Sequence, residues 1–86
     1  MELRMVIIYG KSACGFCLRA KKLAERHGLE YEYKSVDFDQ YRTEMYDLKP
    51  DAETVPQIWW NDKYLGGYNE FATEIENTRN FGQDAF

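Results

Sequence analysis

Leu3 to Tyr9 (LRMVIIY) is a near-continuous apolar run, the pattern of a strand buried on both faces of a sheet, and its place at the start of the chain marks it as the central strand. Gly10 to Ala13 is small and polar, a short loop. Beyond it Phe16, Ala20, Leu23 and Ala24 recur at helical spacing, with Arg19, Lys21, Lys22, Glu25 and Arg26 on the other side, and Gly28 supplies the stop. Glu30 to Val36 (EYEYKSV) alternates charged residues with Tyr31 and Tyr33, which predicts a half-exposed strand near a sheet edge. Strand, helix and strand in this order form a parallel crossover unit.

The second half of the chain is shorter in its elements. Tyr41, Met45 and Leu48 predict one face of a helix over Asp39 to Leu48, ended by Pro50. Gln57 to Trp60, then Asn61-Asp62-Lys63, then Tyr64-Leu65 predict a tight antiparallel hairpin, because Asn and Asp tolerate the left-handed backbone of such turns. Gly66-Gly67 closes the second strand, and Phe71, Ile75 and Thr78 mark one face of a final helix. Asn80 to Phe86 has little periodicity and is expected to be a mobile tail on a single domain of residues 1–79.

Composition narrows the class. Eighty-six residues allow one compact unit, and 44% hydrophobic with 16% aromatic residues is enough to build a core, so intrinsic disorder is excluded as the main state. No apolar run approaches the roughly 20 residues of a membrane span, and the first nine residues are too short and weakly basic for a secretory signal. The chain is expected to be a complete, cytoplasmic protein. The net charge of −4 argues against general nucleic-acid binding, yet it is unevenly spread. Residues 1–29 carry six Lys or Arg against Glu2 and Glu25, whereas residues 30–86 are strongly acidic.

The basic part holds both cysteines, as Cys14-Gly15-Phe16-Cys17. One pair is far short of a disulfide framework, so it is explained by reactivity or by metal. With Cys14 at a helix N-terminus, unpaired N–H groups and the helix dipole favour thiolate over thiol, and Lys11 adds a cation. Gly15, unlike a proline, adds an N–H that can point at the Cys14 sulfur. Cys17 falls one turn later on the same face, within disulfide reach but deeper. Cys14 is then the nucleophile and Cys17 the resolving thiol. The bland alternatives are a pair of inert core cysteines or half of a zinc site; the only further ligand, His27, sits at the far end of the same helix as a C-terminal cation, and no metal is expected.

Two further segments are suggestive when taken with the cysteines. Thr54-Val55-Pro56 places a proline at the first residue of a strand, and Gly66-Gly67-Tyr68-Asn69-Glu70 places close backbone approach before a helix start whose N–H groups suit a carboxylate. With Lys11 to Cys17 (KSACGFC), Thr54 to Ile58 (TVPQI) and Gly66 to Glu70 (GGYNE) in this order, the chain resembles glutaredoxins over residues 4 to about 78. Within that family it is most similar to the small dithiol bacterial type that reduces ribonucleotide reductase.

The resemblance implies an α/β, thioredoxin-like fold, with a small mixed four-stranded sheet (β-α-β, then α-β-β-α) flanked by helices. It implies a monomeric glutathione-dependent thiol–disulfide oxidoreductase acting on disulfide-containing or glutathionylated proteins, ribonucleotide reductase among them, with no nucleic-acid or membrane partner. Carried over by residue, Cys14 and Cys17 form the redox disulfide, and Pro56 is a cis-proline facing them that leaves the Val55 backbone to pair with the cysteinyl part of glutathione. Lys11 approaches the glycine carboxylate, Phe16 forms a groove wall and Thr54 lies beside Val55. Gly67, Tyr68, Asn69 and Glu70 line the γ-glutamyl end. The chain departs from the family in Cys-Gly-Phe-Cys for the usual Cys-Pro-Tyr-Cys, and in Asn69-Glu70. The glycine keeps open a glutathione-assisted [2Fe–2S] carrier, although such carriers lack the second cysteine. A thioredoxin-like reductant is the other alternative, but that family has an extra N-terminal strand and helix and an aromatic residue before the first cysteine.

Overall fold

In the computed structural model the backbone is described for residues 5–84 and the side chains for residues 5–77, so Leu3 and Arg4 of the expected first strand and the side chain of Thr78 lie outside the described residues. The elements run β1 (Met5–Gly10), α1 (Gly15–Arg26), β2 (Glu30–Ser35), α2 (Asp39–Leu48), β3 (Gln57–Trp60), β4 (Lys63–Gly66) and α3 (Tyr68–Asp84). The four strands form one sheet in the order β2-β1-β3-β4. β1 pairs in parallel with β2 from Met5↔Glu30 to Gly10↔Ser35 and antiparallel with β3 through Val6↔Trp60 and Ile8↔Ile58, so the sheet is mixed, β1 is internal and β2 is an edge, as the two strand patterns predict.

Alternation along β1 sends side chains to two separate clusters. Val6 and Ile8 join Ala20, Leu23, Ala24, Ile58, Phe71 and Ile75 under α1 and α3. Tyr9, with Ile7 beside it, faces Met45 and Ala52 under α2. Every side chain of the first cluster is hydrocarbon. The second holds a polar network, in which the Tyr9 hydroxyl donates to the Glu44 carboxylate and Lys34 Nζ reaches Glu44 Oε2 at 2.5 Å.

The hairpin turn is built as expected, with Asn61 (φ 54°) and Asp62 (φ 69°) both left-handed. Three expectations shift. Phe16 is 53% exposed, and Cys17, with no exposure, takes its place on the buried stripe of α1. Leu48, the last residue of α2, is 55% exposed, and Met45 alone is the buried residue of that helix. α3 continues to Asp84, past the boundary drawn between residues 79 and 80. Hydrophobic spacing marks the residues that meet the core, whereas the helix continues as long as its backbone hydrogen bonds do.

Candidate active site

Cys14 is the N-cap of α1, in extended conformation (φ −119°, ψ 113°), and its sulfur accepts a hydrogen bond from the Cys17 N–H at 3.2 Å. The donor is therefore Cys17, where the sequence suggested Gly15. At Gly15 itself a side chain would meet open space. The loop reaches the cap through Ala13 at φ 58°, a left-handed conformation uncommon for a residue with a Cβ. No feature of Ala13 in the sequence signals it.

Cys14 and Cys17 are joined as a disulfide with Cα atoms 5.2 Å apart. Its two ends differ: Cys14 is partly exposed and Cys17 fully buried. The Val55 carbonyl oxygen lies 3.9 Å from Cys14 Sγ, and the Val55–Pro56 peptide is cis, at the position the resemblance implied. Gly67 follows: a Cβ there would stand 3.6 Å from the Pro56 carbonyl oxygen. The segment of the cis-proline thus faces the Cys14 sulfur, and the segment of Gly67 adjoins that proline and meets the cysteine motif through Tyr68 and Phe16.

The remaining candidates divide. Phe16 and Tyr68 come together, ring centroids 6.0 Å apart, with the Arg19 guanidinium 5.1 Å from the Phe16 ring on its other contact. Thr54 is exposed, and its carbonyl is held by Gln57 Nε2 at 2.7 Å. Asn69 lines a hollow with Lys63, Leu65 and Thr73, between β4 and α3. Glu70 turns back on its own helix: Oε1 accepts the Gly67 N–H at 2.9 Å while the Gly67 carbonyl accepts the Phe71 N–H, one arm of a capping box. Lys11 is exposed and lies on the other flank of Cys14, in an open cleft of about 490 Å³ with Lys21 and Tyr33.

Sequence reasoning passed over three residues that shape this loop. Tyr33 covers Gly10 so closely that a Cβ there would stand 2.3 Å from its oxygen, and its hydroxyl donates to the Lys11 carbonyl at 3.0 Å. Burial first and the Asp37 charge second raise the Tyr33 pKa, so the hydroxyl keeps the proton it donates. Asp37 Oδ2 accepts the Ser12 N–H at 3.1 Å, and this bond, ahead of the Ser12 and Ser35 hydroxyls and the Lys11 charge, holds its carboxyl below the usual range. Gln57, buried, accepts the Tyr64 hydroxyl at 2.5 Å while holding Thr54. A glutamine directly after the proline, and an aspartate just beyond the second strand, are the signals the sequence offers.

This is a site for thiol–disulfide exchange, and known proteins agree. Residues 6–65 match the glutaredoxin family model, so the chain belongs to the glutaredoxin family. It is 38% identical over 77 residues to Glutaredoxin 1 of Escherichia coli, covering 81% of this chain and 91% of that one. The structure of reduced Escherichia coli glutaredoxin superposes with a TM-score of 0.72 at 30% identity, covering 88% of this chain and 98% of that one. A dithiolic glutaredoxin of Trypanosoma brucei brucei gives 0.72 at 26% identity, over 92% and 84%. The chain is a thiol–disulfide oxidoreductase of thioredoxin-like fold, from a family that uses glutathione as reductant. No helix among the described residues is long and apolar enough to cross a membrane.

Proposed function

We propose that this glutaredoxin draws electrons from glutathione to reduce protein disulfides and glutathione mixed disulfides, with Cys14 attacking and Cys17 resolving. The observation that carries the reading is the unequal placement of the two sulfurs. Cys14 Sγ, partly exposed on the helix cap, can reach a substrate disulfide in line, and the Cys17 N–H stabilises its anion. Cys17, sealed in the core, reaches only Cys14.

The Cys14 thiolate attacks one sulfur of the substrate disulfide, the other leaves as thiolate, and Cys14 is left in a mixed disulfide. The Cys17 thiolate then attacks Cys14 Sγ and expels the second substrate thiolate, giving the Cys14–Cys17 disulfide. One glutathione thiolate opens that disulfide at Cys14; a second attacks the glutathione sulfur, restoring both thiols and leaving glutathione disulfide. Two electrons pass from two glutathiones to one substrate disulfide.

Glutathione lies along the Val55 backbone as an added strand, with Thr54 and Pro56 beside it, Phe16 and Tyr68 as its wall and Gly67 at its γ-glutamyl end. Lys11 pairs with the glycine carboxylate. Asn69, next to Tyr68 in the first turn of α3, binds the γ-glutamyl end, and Glu70 serves it through the cap on Gly67. The chemistry is carried by the single domain of a cytoplasmic monomer, and ribonucleotide reductase is a candidate target on resemblance alone.

The test is glutathione-dependent reduction of the mixed disulfide of glutathione and 2-mercaptoethanol, coupled to glutathione reductase and NADPH oxidation. Turnover that saturates with glutathione is expected. Turnover sustained only by a thioredoxin-type reductase, or none, would overturn the reading.

A further inference from the structure

The cleft beside Cys14 lies outside the Phe16–Tyr68 groove, and shares with the glutathione reading above only Cys14 and Lys11. Its lining includes Lys11, Gly15, Leu18, Lys21 and Tyr33, and neither Phe16, Tyr68 nor Val55 touches it. Gly15, Leu18 and Lys21 follow one another at three-residue spacing along α1, on the flank facing β2, whereas Phe16 and Arg19 lie on the flank facing α3. A disulfide held at Cys14 therefore has a separate surface for each of its two halves.

The second surface has a definite chemistry. Leu18 is 50% exposed in the middle of it, an apolar platform one turn from the cysteine. At Gly15 nothing lies within 4 Å of where a Cβ would stand, so the backbone can be approached closely. Lys21 is held in place with its ammonium 5.2 Å from the Tyr33 ring, and Lys22 follows it, exposed. Asp37 lies near the Lys11 end, and along α1 Lys21 and Lys22 outnumber the one acid, Glu25, whose carboxylate accepts the Tyr31 hydroxyl. An apolar contact ringed by cations selects an apolar side chain ringed by carboxylates.

We propose that this cleft receives the protein half of the substrate, and that it favours a segment with Asp or Glu on either side of the reactive cysteine and an apolar residue to cover Leu18. The inference rests on the glutathione reading above. Glutathione occupies the Phe16–Tyr68 side, and the Cys14 thiolate attacks its sulfur. The peptide sulfur leaves with the electron pair on the Leu18–Lys21 side and takes a proton from water. Glutathione-sized substrates reach this cleft only at Lys11 and leave its Leu18–Lys21 part empty.

Three synthetic decapeptides test it, each with one glutathionylated cysteine and one leucine, flanked by Glu, Gln or Lys. The Glu peptide should be reduced about 3–10-fold faster, in kcat/KM, than the Gln peptide at low ionic strength, on the scale of electrostatic steering, and the advantage should shrink at about 0.5 M salt. Lys21→Glu should abolish that preference or turn it toward the Lys peptide, and Leu18→Glu should slow the Glu peptide, while both variants reduce the glutathione–mercaptoethanol disulfide within about twofold of the parent. No preference among the peptides, or equal losses on peptide and small substrate, would overturn the proposal. A chemical-shift map with a serine version of the Glu peptide needs no turnover, and so separates failure of this surface from failure of the glutathione reading. Shifts at Leu18, Lys21 and Tyr33 are expected; shifts confined to Phe16, Tyr68 and Asn69, or none at millimolar peptide, would contradict it.

Discussion

Up to Ser35 the chain serves its site mainly through side chains, and from Val36 onward mainly through backbone. The first part supplies both sulfurs, the exposed Phe16, Lys11 and the Tyr33 hydroxyl. The second supplies the Val55 carbonyl 3.9 Å from Cys14, the Thr54 carbonyl held by Gln57, and the Gly67 N–H and Pro56 carbonyl at the α3 end; among its side chains Tyr68 meets Phe16 at the groove wall and Asp37 holds the Ser12 N–H. A side-chain function ends when its atom is replaced. A backbone function survives substitution as long as the local conformation is kept, so mutations in the two parts should fail in different ways.

The largest effect is expected at the sulfurs. Cys14→Ser should abolish exchange with every substrate, because no other thiol is exposed to attack. Cys17→Ser should still remove glutathione from mixed disulfides, since free glutathione can resolve the intermediate, but should fail on protein disulfides that need an internal thiol. Parallel assays on a glutathionylated peptide and a protein disulfide read the split, and a Cys17→Ser protein inactive on both would contradict it.

Next comes the contact that ties β2 to the redox loop. Gly10→Ala places a Cβ on the Tyr33 ring and oxygen, an overpacking expected to cost about 1–3 kcal/mol in urea unfolding. Adding Tyr33→Ala should make the two losses less than additive, the mark of residues in direct contact. Strict additivity would show that Tyr33 does not cover Gly10.

In the backbone-dominated part the effects should be milder. Glu70→Ala removes the arm that accepts the Gly67 N–H and should cost about 1 kcal/mol, or about 4–8 °C in Tm for a domain this size, while glutathione turnover stays within a few-fold of the parent. Loss of turnover without loss of stability would instead make Glu70 a direct ligand.

The smallest effect is electrostatic. The Lys34 ammonium first, and the Tyr9 hydroxyl after it, hold the Glu44 carboxyl below the usual range, and its side chain is 38% exposed. A carboxyl lowered on folding contributes stability that is full above its unfolded pKa of about 4.3 and lost as pH falls through the folded value. Glu44→Gln should therefore cost about 0.5–1 kcal/mol near neutrality, allowing for solvent screening, and the difference from the parent should vanish in acid. A difference independent of pH would assign the loss to packing.

The same division explains what could be read in advance. The element order, the internal β1, the edge β2 and the Asn61-Asp62 turn follow from residue type and spacing, because each rests on local chemistry. The two cysteines announce themselves for the same reason. Periodicity puts Phe16 and Leu48 inward, yet both are exposed, because a short helix with few apolar positions leaves the phase of its buried stripe loosely defined. The roles of Tyr33, Asp37 and Gln57 arise from contacts across 22, 25 and 3 residues, each to a backbone group, and a backbone group has no letter in the sequence.

Whether Cys14 alone is the attacking thiolate is settled most directly by alkylating the reduced protein with iodoacetamide across pH 4–10 and locating the label by peptide mass spectrometry. Cys14 should be modified first, with a midpoint below the free-thiol value of about 8.5, and Cys17 should stay unlabelled until the protein is unfolded. Equal labelling of the two cysteines, or a Cys14 midpoint at or above that of a free thiol, would contradict the assignment of the helix cap as the source of reactivity.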